Sequence, residues 1–125
     1  RDRRSAWKGD LEMKLIEAYG KGTGRWVNAY EAKDIDAIRP HLEKAREIWI
    51  GVWTAQGQTD EGSCTLNKGL QIWYRGPRKR SADLKTVVKA PPVQGNISAA
   101  RSYEPAWQYL KDQGIESEYY DGWMD

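Results

Sequence analysis

The spacing of apolar residues in the first third of the chain is typical of helices. Leucine and alanine recur at intervals of three and four residues in segment 10–19, DLEMKLIEAY, and helical spacing resumes in segment 26–38. Proline suits the first turn of a helix better than its interior. We therefore expect Pro40 to interrupt the second helix and to begin a short third one. Segment 20–25, GKGTGR, is then expected to be a flexible linker between helices.

The pattern changes to that of strands in the middle of the chain. Segment 48–55, IWIGVWTA, is β-branched and aromatic, and turn-forming residues follow it. Segment 64–75 is the expected partner strand, segment 84–89 is a third strand, and segment 98–113 returns to helical spacing. This order predicts an α+β fold with N-terminal helices, a small antiparallel sheet of about three strands, and a C-terminal helix.

The length and the two ends of the chain indicate how it is organised. A chain of 125 residues favours a single domain spanning residues 1–125. Residues 1–8 carry four cations and one anion, so we interpret them as a basic N-terminal arm. Residues 115–125 carry four acids without lysine or arginine and form an acidic C-terminal tail. The tail has no clear period, which leaves a strand, a docked arm and a disordered end as alternatives.

Charge is distributed unevenly between these ends. The net charge of +2 is too small to indicate a nucleic-acid partner by itself. The segment from 75 to 89, however, holds six cations and a single anion, Asp83. The sequence RGPRKR bends at Gly76 and Pro77, which gathers several of these cations at one turn. Such a compact cluster suits a group of phosphates or a bent RNA backbone.

Aromatic composition adds a second signal. The chain has seven tryptophans, seven tyrosines and no phenylalanine. If segments 48–55 and 64–75 form a hairpin, then Trp49, Trp53 and Trp73 share one face of it. An open face of this kind would stack nucleic-acid bases. Packing of the same face against helices is the alternative.

These signals favour a nucleic-acid-binding domain, with RNA or a single strand as the preferred ligand. In this hypothesis the basic turn and the following strand contact phosphates beside an aromatic sheet face. No cofactor and no membrane are involved. The expected binding residues are Arg75, Arg78, Lys79, Arg80, Lys85 and Lys89 for phosphate, and Trp49, Trp53 and Trp73 for bases.

Two other functions stay open. The first is a protein-interaction or assembly module of a larger or viral protein, in which the tryptophan face and the acidic tail contact a partner or a second copy. The second is a metal-dependent nuclease. Asp83-Leu84-Lys85 has the D-x-K spacing of many such enzymes, and an upstream acid such as Asp60 or Glu61 would complete the metal site.

Other catalytic chemistry finds little support in the sequence. His41 is the only histidine and has no candidate nucleophile near it in sequence, so we assign no catalytic residue and lean against an enzyme. Cys64 is the only cysteine, which excludes an internal disulfide and favours a reducing compartment. No apolar run has the length of a spanning helix, and no signal peptide is visible. We therefore expect an intracellular protein.

Overall fold

Five strands and three helices make up the described part of the chain. The structure is a computed structural model that describes residues 15–65 and 67–121. The elements in chain order are β1 (Ile16–Gly20), β2 (Arg25–Glu31), α1 (Ala32–Ala55), β3 (Gly69–Arg75), β4 (Ser81–Lys89), α2 (Asn96–Ser102), α3 (Glu104–Asp112) and β5 (Glu118–Tyr120).

Strands β1 to β4 form a closed mixed barrel, and β5 is added beside β3. β1 and β2 are an antiparallel hairpin in which Gly20 lies opposite Arg25. β1 runs parallel to β4, β2 runs parallel to β3, and β4 neighbours β3, so each of these four strands has two neighbours in the barrel. The prediction of N-terminal helices and a small antiparallel sheet of about three strands is therefore wrong.

The chain divides into two compact units. Among the described residues, the first unit comprises 15–40 and 72–85, and the second comprises 41–65, 67–71 and 86–121. Helix α1 and strands β3 and β4 each contribute residues to both units. The first unit contains the β1–β2 hairpin and the basic turn, whereas the second contains α2, α3 and β5.

One cluster of buried side chains in the first unit packs against an indole ring. Ala18, Val27, Ala29 and Ala82 are buried there, and Trp73 packs against them. Ala18 and Val27 are cross-strand partners, and Ala29 lies two residues further along β2, so these three side chains share one face of the hairpin. Trp73 is half-buried in the packing of the barrel.

Strands β1 and β2 occupy positions where the sequence predicts helices. Exposed Tyr19 lies between buried Ala18 and Gly20, and exposed Trp26 and Asn28 alternate with buried Val27 and Ala29, which is the two-residue period of a strand. Segment 20–25 is a hairpin turn rather than a helix linker, and Gly22 and Gly24 supply the positive φ angles of 81° and 73° that it requires. Residues 10–14 of the first predicted helix lie outside the described residues.

Helix α1 runs without interruption through Pro40 and includes the segment predicted as the first strand, 48–55. Its buried residues recur every three or four positions, at Leu42, Ala45, Trp49 and Trp53, which is the stripe of a helix that packs on one side. The predicted helix break and the predicted strand are therefore both wrong. A proline removes one backbone hydrogen bond, and this loss is small against the burial of such a long apolar stripe.

Three other predicted elements are present. The expected strands over 64–75 and 84–89 correspond to β3 and β4, although β3 begins later and β4 earlier than expected. The expected C-terminal helix is divided into α2 and α3, with Pro105 in the first turn of α3. Part of the acidic tail is a strand, because Glu118–Tyr120 pairs antiparallel with the beginning of β3. The single domain stays a prediction, and its arm, 1–8, lies outside the described residues.

The second unit has a tryptophan at the centre of its packing. Trp49 is fully buried, and its indole nitrogen donates a hydrogen bond to Ser102 Oγ at 2.9 Å. Two tyrosines stack beside it, since the rings of Tyr103 and Tyr119 lie 4.1 Å apart and 9° from parallel. Within the described residues no helix is long and apolar enough to cross a membrane.

Candidate nucleic-acid interface

The basic turn joins β3 to β4 in the first unit. Its bend is closed by the backbone amide of Lys79, which donates to the carbonyl of Gly76 at 3.2 Å. Arg78 adopts a left-handed conformation with a φ of 63°. A side chain in this region is strained relative to glycine, so an arginine here is a reason to suspect a function for the side chain.

A cleft of about 450 Å³ opens beside this turn. The parallel pairing of β2 with β3 sets Glu31 next to Arg75 at the ends of the two strands. The first residues of α1 and the turn complete the walls. Four cations and one acid line the cleft, whose residues are Glu31, Ala32, Lys33, Arg75, Gly76, Pro77, Arg78 and Lys79.

Glu31 is the only acid among the described residues that line this cleft, and it contacts two of the cations. Arg75 donates a hydrogen bond to Glu31 Oε2 at 2.9 Å, and Lys33 Nζ lies 4.0 Å from Glu31 Oε1. The side chains of Glu31 and Arg75 are each about one-third exposed, at 33% and 32%. Arg78 and Lys79 lie on the exposed part of the turn and complete a cluster with a net positive charge.

An exposed aromatic pair lies on the β1–β2 hairpin of the same unit. Trp26 and Tyr19 are cross-strand partners with ring centroids 6.2 Å apart and planes at 86°. Their exposed fractions are 66% and 44%, which are high for such large side chains. Thr23 fixes the turn beside them, because its hydroxyl donates to the Gly20 carbonyl at 2.9 Å and accepts from the Arg25 amide at 3.1 Å.

The strand register brings this aromatic pair close to the end of the basic turn. Tyr19 is the partner of Ser81 across the parallel β1–β4 pair, and the amide of Lys21 donates to the Ala82 carbonyl at 2.9 Å. Neighbouring strands are separated by about 4.8 Å. Arg80, which directly precedes Ser81 in the chain, is therefore one residue away from the position that pairs with Tyr19.

Sequence reasoning missed Tyr19 and Trp26. The signal that could have found them is the alternation of large and small residues in AYG and RWVNA on either side of a glycine-rich turn. Lys21 and Arg25 on the same hairpin are exposed, and Lys21 Nζ lies 3.9 Å from Asp83 Oδ1.

The structure separates the expected binding residues into different environments. Arg75, Arg78 and Lys79 line the cleft together, and Arg80 completes the turn. Lys85 is exposed on β4, with its ammonium 5.4 Å from the ring centroid of Tyr74.

The three expected tryptophans do not form one sheet face. Trp49 and Trp53 lie on helix α1 in the second unit, with exposed fractions of 0% and 8%, whereas Trp73 lies on β3. The indole nitrogen of Trp53 donates to the Thr59 carbonyl at 2.7 Å, so its polar group is also engaged. The geometry on which their predicted stacking role depended is therefore wrong. Lys89 belongs to the second unit, where it is exposed.

The residues considered for catalysis are engaged in ordinary structural contacts. Asp60 accepts a hydrogen bond from the Gly95 amide at 2.6 Å, and Glu61 accepts one from Arg101 at 2.6 Å. His41 Nδ1 lies 2.9 Å from the hydroxyl oxygen of Tyr109. In residues 15–65 and 67–121, no group of three or more His, Cys, Asp or Glu side chains is arranged to hold a metal ion.

Comparison of the chain with protein-family models, with curated proteins and with solved structures finds no match.

Proposed function

We propose that this protein binds nucleic acid through its first unit, with RNA or a single strand as the preferred ligand. The observation that carries the proposal is the register that brings an exposed aromatic pair, Tyr19 and Trp26, close to the end of a basic turn that lines a cationic cleft. The turn contacts phosphates and the aromatic pair contacts a base.

The charge of the cleft supports the phosphate contacts. Arginine and lysine bind phosphate oxygens through charge-assisted hydrogen bonds, and Arg78 and Lys79 are exposed for this purpose. The left-handed Arg78 supports the same role, because glycine would be less strained at this position but would carry no charge.

The aromatic pair supports a single strand over a duplex. An exposed indole face stacks on an unpaired base, whereas both faces of a base in a duplex are already covered by its neighbours. The two rings are nearly perpendicular, so a base stacked on Trp26 meets the side of Tyr19. We expect the corner formed by these rings to hold one base without recognising the hydrogen-bonding groups of that base. We therefore expect weak sequence preference.

A salt titration of binding to a short labelled single-stranded RNA tests the proposal. The wild-type protein is expected to bind with an affinity that falls steeply as salt rises. The triple variant Arg78→Ala/Lys79→Ala/Arg80→Ala removes three cations. Its slope in a plot of log K against log salt is expected to become shallower by up to about 0.7 for each phosphate that is no longer neutralised.

Variants of exposed apolar residues test the stacking contact separately. Trp26→Ala is expected to lose about 1–3 kcal/mol of binding free energy with little change in the salt slope. Ile97→Ala is the control, because Ile97 is 50% exposed in the second unit and takes no part in the proposed interface. Absence of binding by the wild-type protein at low salt would show that the proposal is wrong. Salt-insensitive self-association that is lost in Trp26→Ala would instead favour an assembly module.

A further inference from the structure

A second cleft, in the second unit, is separate from the proposed interface. Its volume is about 550 Å³, which lies within the range of small-molecule sites. Two lysines, Lys68 and Lys89, line it, and no described aspartate or glutamate does. We refer to it as the lysine cleft, lined by Cys64, Thr65, Asn67, Lys68, Thr86, Lys89, Ala90, Pro91, Pro92, Val93 and Gln94.

Lys68 is an unusually buried cation in this cleft, with an exposed fraction of 8%. Its ammonium donates hydrogen bonds to the carbonyl oxygen of Thr65 and to that of Gln94, the latter at 3.2 Å. Both acceptors are neutral. Burial of a charge is costly unless an opposite charge compensates it. These contacts of Lys68 within the described residues leave that compensation to an anion that enters the cleft.

A buried hydroxyl group lies near this lysine. Thr65 is 7% exposed, and its Oγ1 atom has no hydrogen-bond partner within the described residues. Most buried hydroxyl groups in proteins are bonded, so this one is an exception within the described residues. The other threonine of the cleft differs, because Thr86 Oγ1 accepts a hydrogen bond from the Gln71 side chain at 3.1 Å.

The other residues that line the cleft indicate the chemistry of the rest of the ligand. Ala90, Pro91 and Val93 are apolar, and Lys89 is an exposed cation in the same lining. We propose that the lysine cleft binds a small organic anion whose oxyanion head contacts Lys68 and Lys89. The apolar body of this anion packs against the proline-rich wall. This function is independent of nucleic-acid binding by the first unit.

The single cysteine of the chain provides a direct test. Cys64 is exposed and lines the cleft, so the rate of its alkylation by neutral iodoacetamide reports whether the cleft is occupied. Benzoate and phenyl phosphate are the probes, with ionic strength held constant by sodium chloride. A probe that binds slows the reaction in a saturable way, by about tenfold at ten times its Kd. Absence of saturable protection with both probes would overturn the proposal.

Two variants and a control test whether protection of Cys64 from alkylation depends on the lysines of the cleft. Lys68→Met removes the buried charge and is expected to abolish protection, provided that the far-ultraviolet circular dichroism spectrum is unchanged. Lys89→Gln alters an exposed residue, so it tests the proposal even if Lys68→Met fails to fold, and it is expected to weaken protection. Lys44→Met, at an exposed position of α1 outside the cleft lining, is expected to behave like the wild type. Protection of equal strength in the wild type and in Lys89→Gln would contradict the proposed contact.

Discussion

Arg75 donates a hydrogen bond to Glu31 at 2.9 Å, so the first cation of the basic turn is paired within the protein. The same carboxylate lies 4.0 Å from Lys33. A phosphate that enters the cleft must therefore compete with Glu31 for two of the four cations. In this arrangement Glu31 orients Arg75 in the free protein, and its negative charge reduces the attraction of the cleft for anions.

Glu31→Gln removes this competing charge while preserving the shape of the side chain. We expect the variant to bind single-stranded RNA more tightly than the wild type, with a salt slope steeper by about 0.7 for each cation that gains a phosphate. Asp36→Asn is the matched control, because Asp36 pairs with Arg39 at 2.7 Å on α1 and does not line the cleft. Equal gains in affinity for the two variants would indicate a general effect of net charge.

The charge of the turn could be predicted from sequence, whereas the cleft could not. Arg75, Arg78 and Lys79 are close in the chain, so their clustering follows from local geometry alone. Glu31 and Lys33 join them only through the parallel pairing of β2 with β3, which connects residues 44 positions apart. No local pattern specifies which distant strands will pair.

The wrong helix and strand assignments have a related cause. Alanine and glutamate in IEAYG favour a helix weakly, but closure of the barrel overrides this preference. Conversely, the β-branched and aromatic residues of IWIGVWTA favour a strand, but the stripe of buried residues that includes Trp49 and Trp53 continues the helical period across Pro40. Strands β3 and β4 could be located because β-branched and aromatic residues in GLQIWYR and LKTVVK favour a strand, although their burial does not alternate along the chain.

Arg78→Gly should separate stability from binding. Glycine relieves the left-handed strain at φ 63°, so we expect the free energy of unfolding to rise by about 1 kcal/mol while RNA affinity falls. Lys79→Gly is the matched control: it removes one cation from the same cleft at a position without positive φ, so both stability and affinity should fall. Urea unfolding and RNA titration measure the two quantities. A loss of stability in Arg78→Gly would contradict the strain at this position.

Gly20→Ala tests the packing inside the barrel. A Cβ atom at this position would lie 2.9 Å from Thr23 Oγ1, 3.0 Å from Val27 Cγ1 and 3.3 Å from Trp73 Cη2. We expect overpacking to lower the free energy of unfolding by about 1–3 kcal/mol.

Gly51→Ala is the control, because a methyl group at this position of α1 would meet no atom within 4 Å beyond its own helical backbone and chain neighbours. It should stabilise the helix by up to about 1 kcal/mol. Thermal unfolding of both variants gives the comparison, and similar shifts in Tm would show that Gly20 has room for a side chain.

Tyr119 makes stability depend on alkaline pH. Burial, and then the nearby Asp121, raise the pKa of Tyr119 well above its usual value, so the folded protein keeps a proton that the unfolded chain releases above about pH 10. The stabilising contribution is therefore complete below that pH and is lost as the pH rises further. Its slope is at most about 1.4 kcal/mol per pH unit, and lower to the extent that solvent reaches the ring.

Tyr119→Phe should remove this dependence. The hydroxyl of Tyr119 is buried near Asp121, and its loss is expected to change the free energy of unfolding near neutral pH by about 1 kcal/mol or less. Stacking on Tyr103 is retained by phenylalanine. Urea unfolding between about pH 8 and about pH 11 should show a smaller loss of stability in the variant than in the wild type. Asp121→Asn should keep most of the dependence, because burial is the larger cause of the raised pKa and remains, and identical slopes in Tyr119→Phe and the wild type would contradict the role of Tyr119.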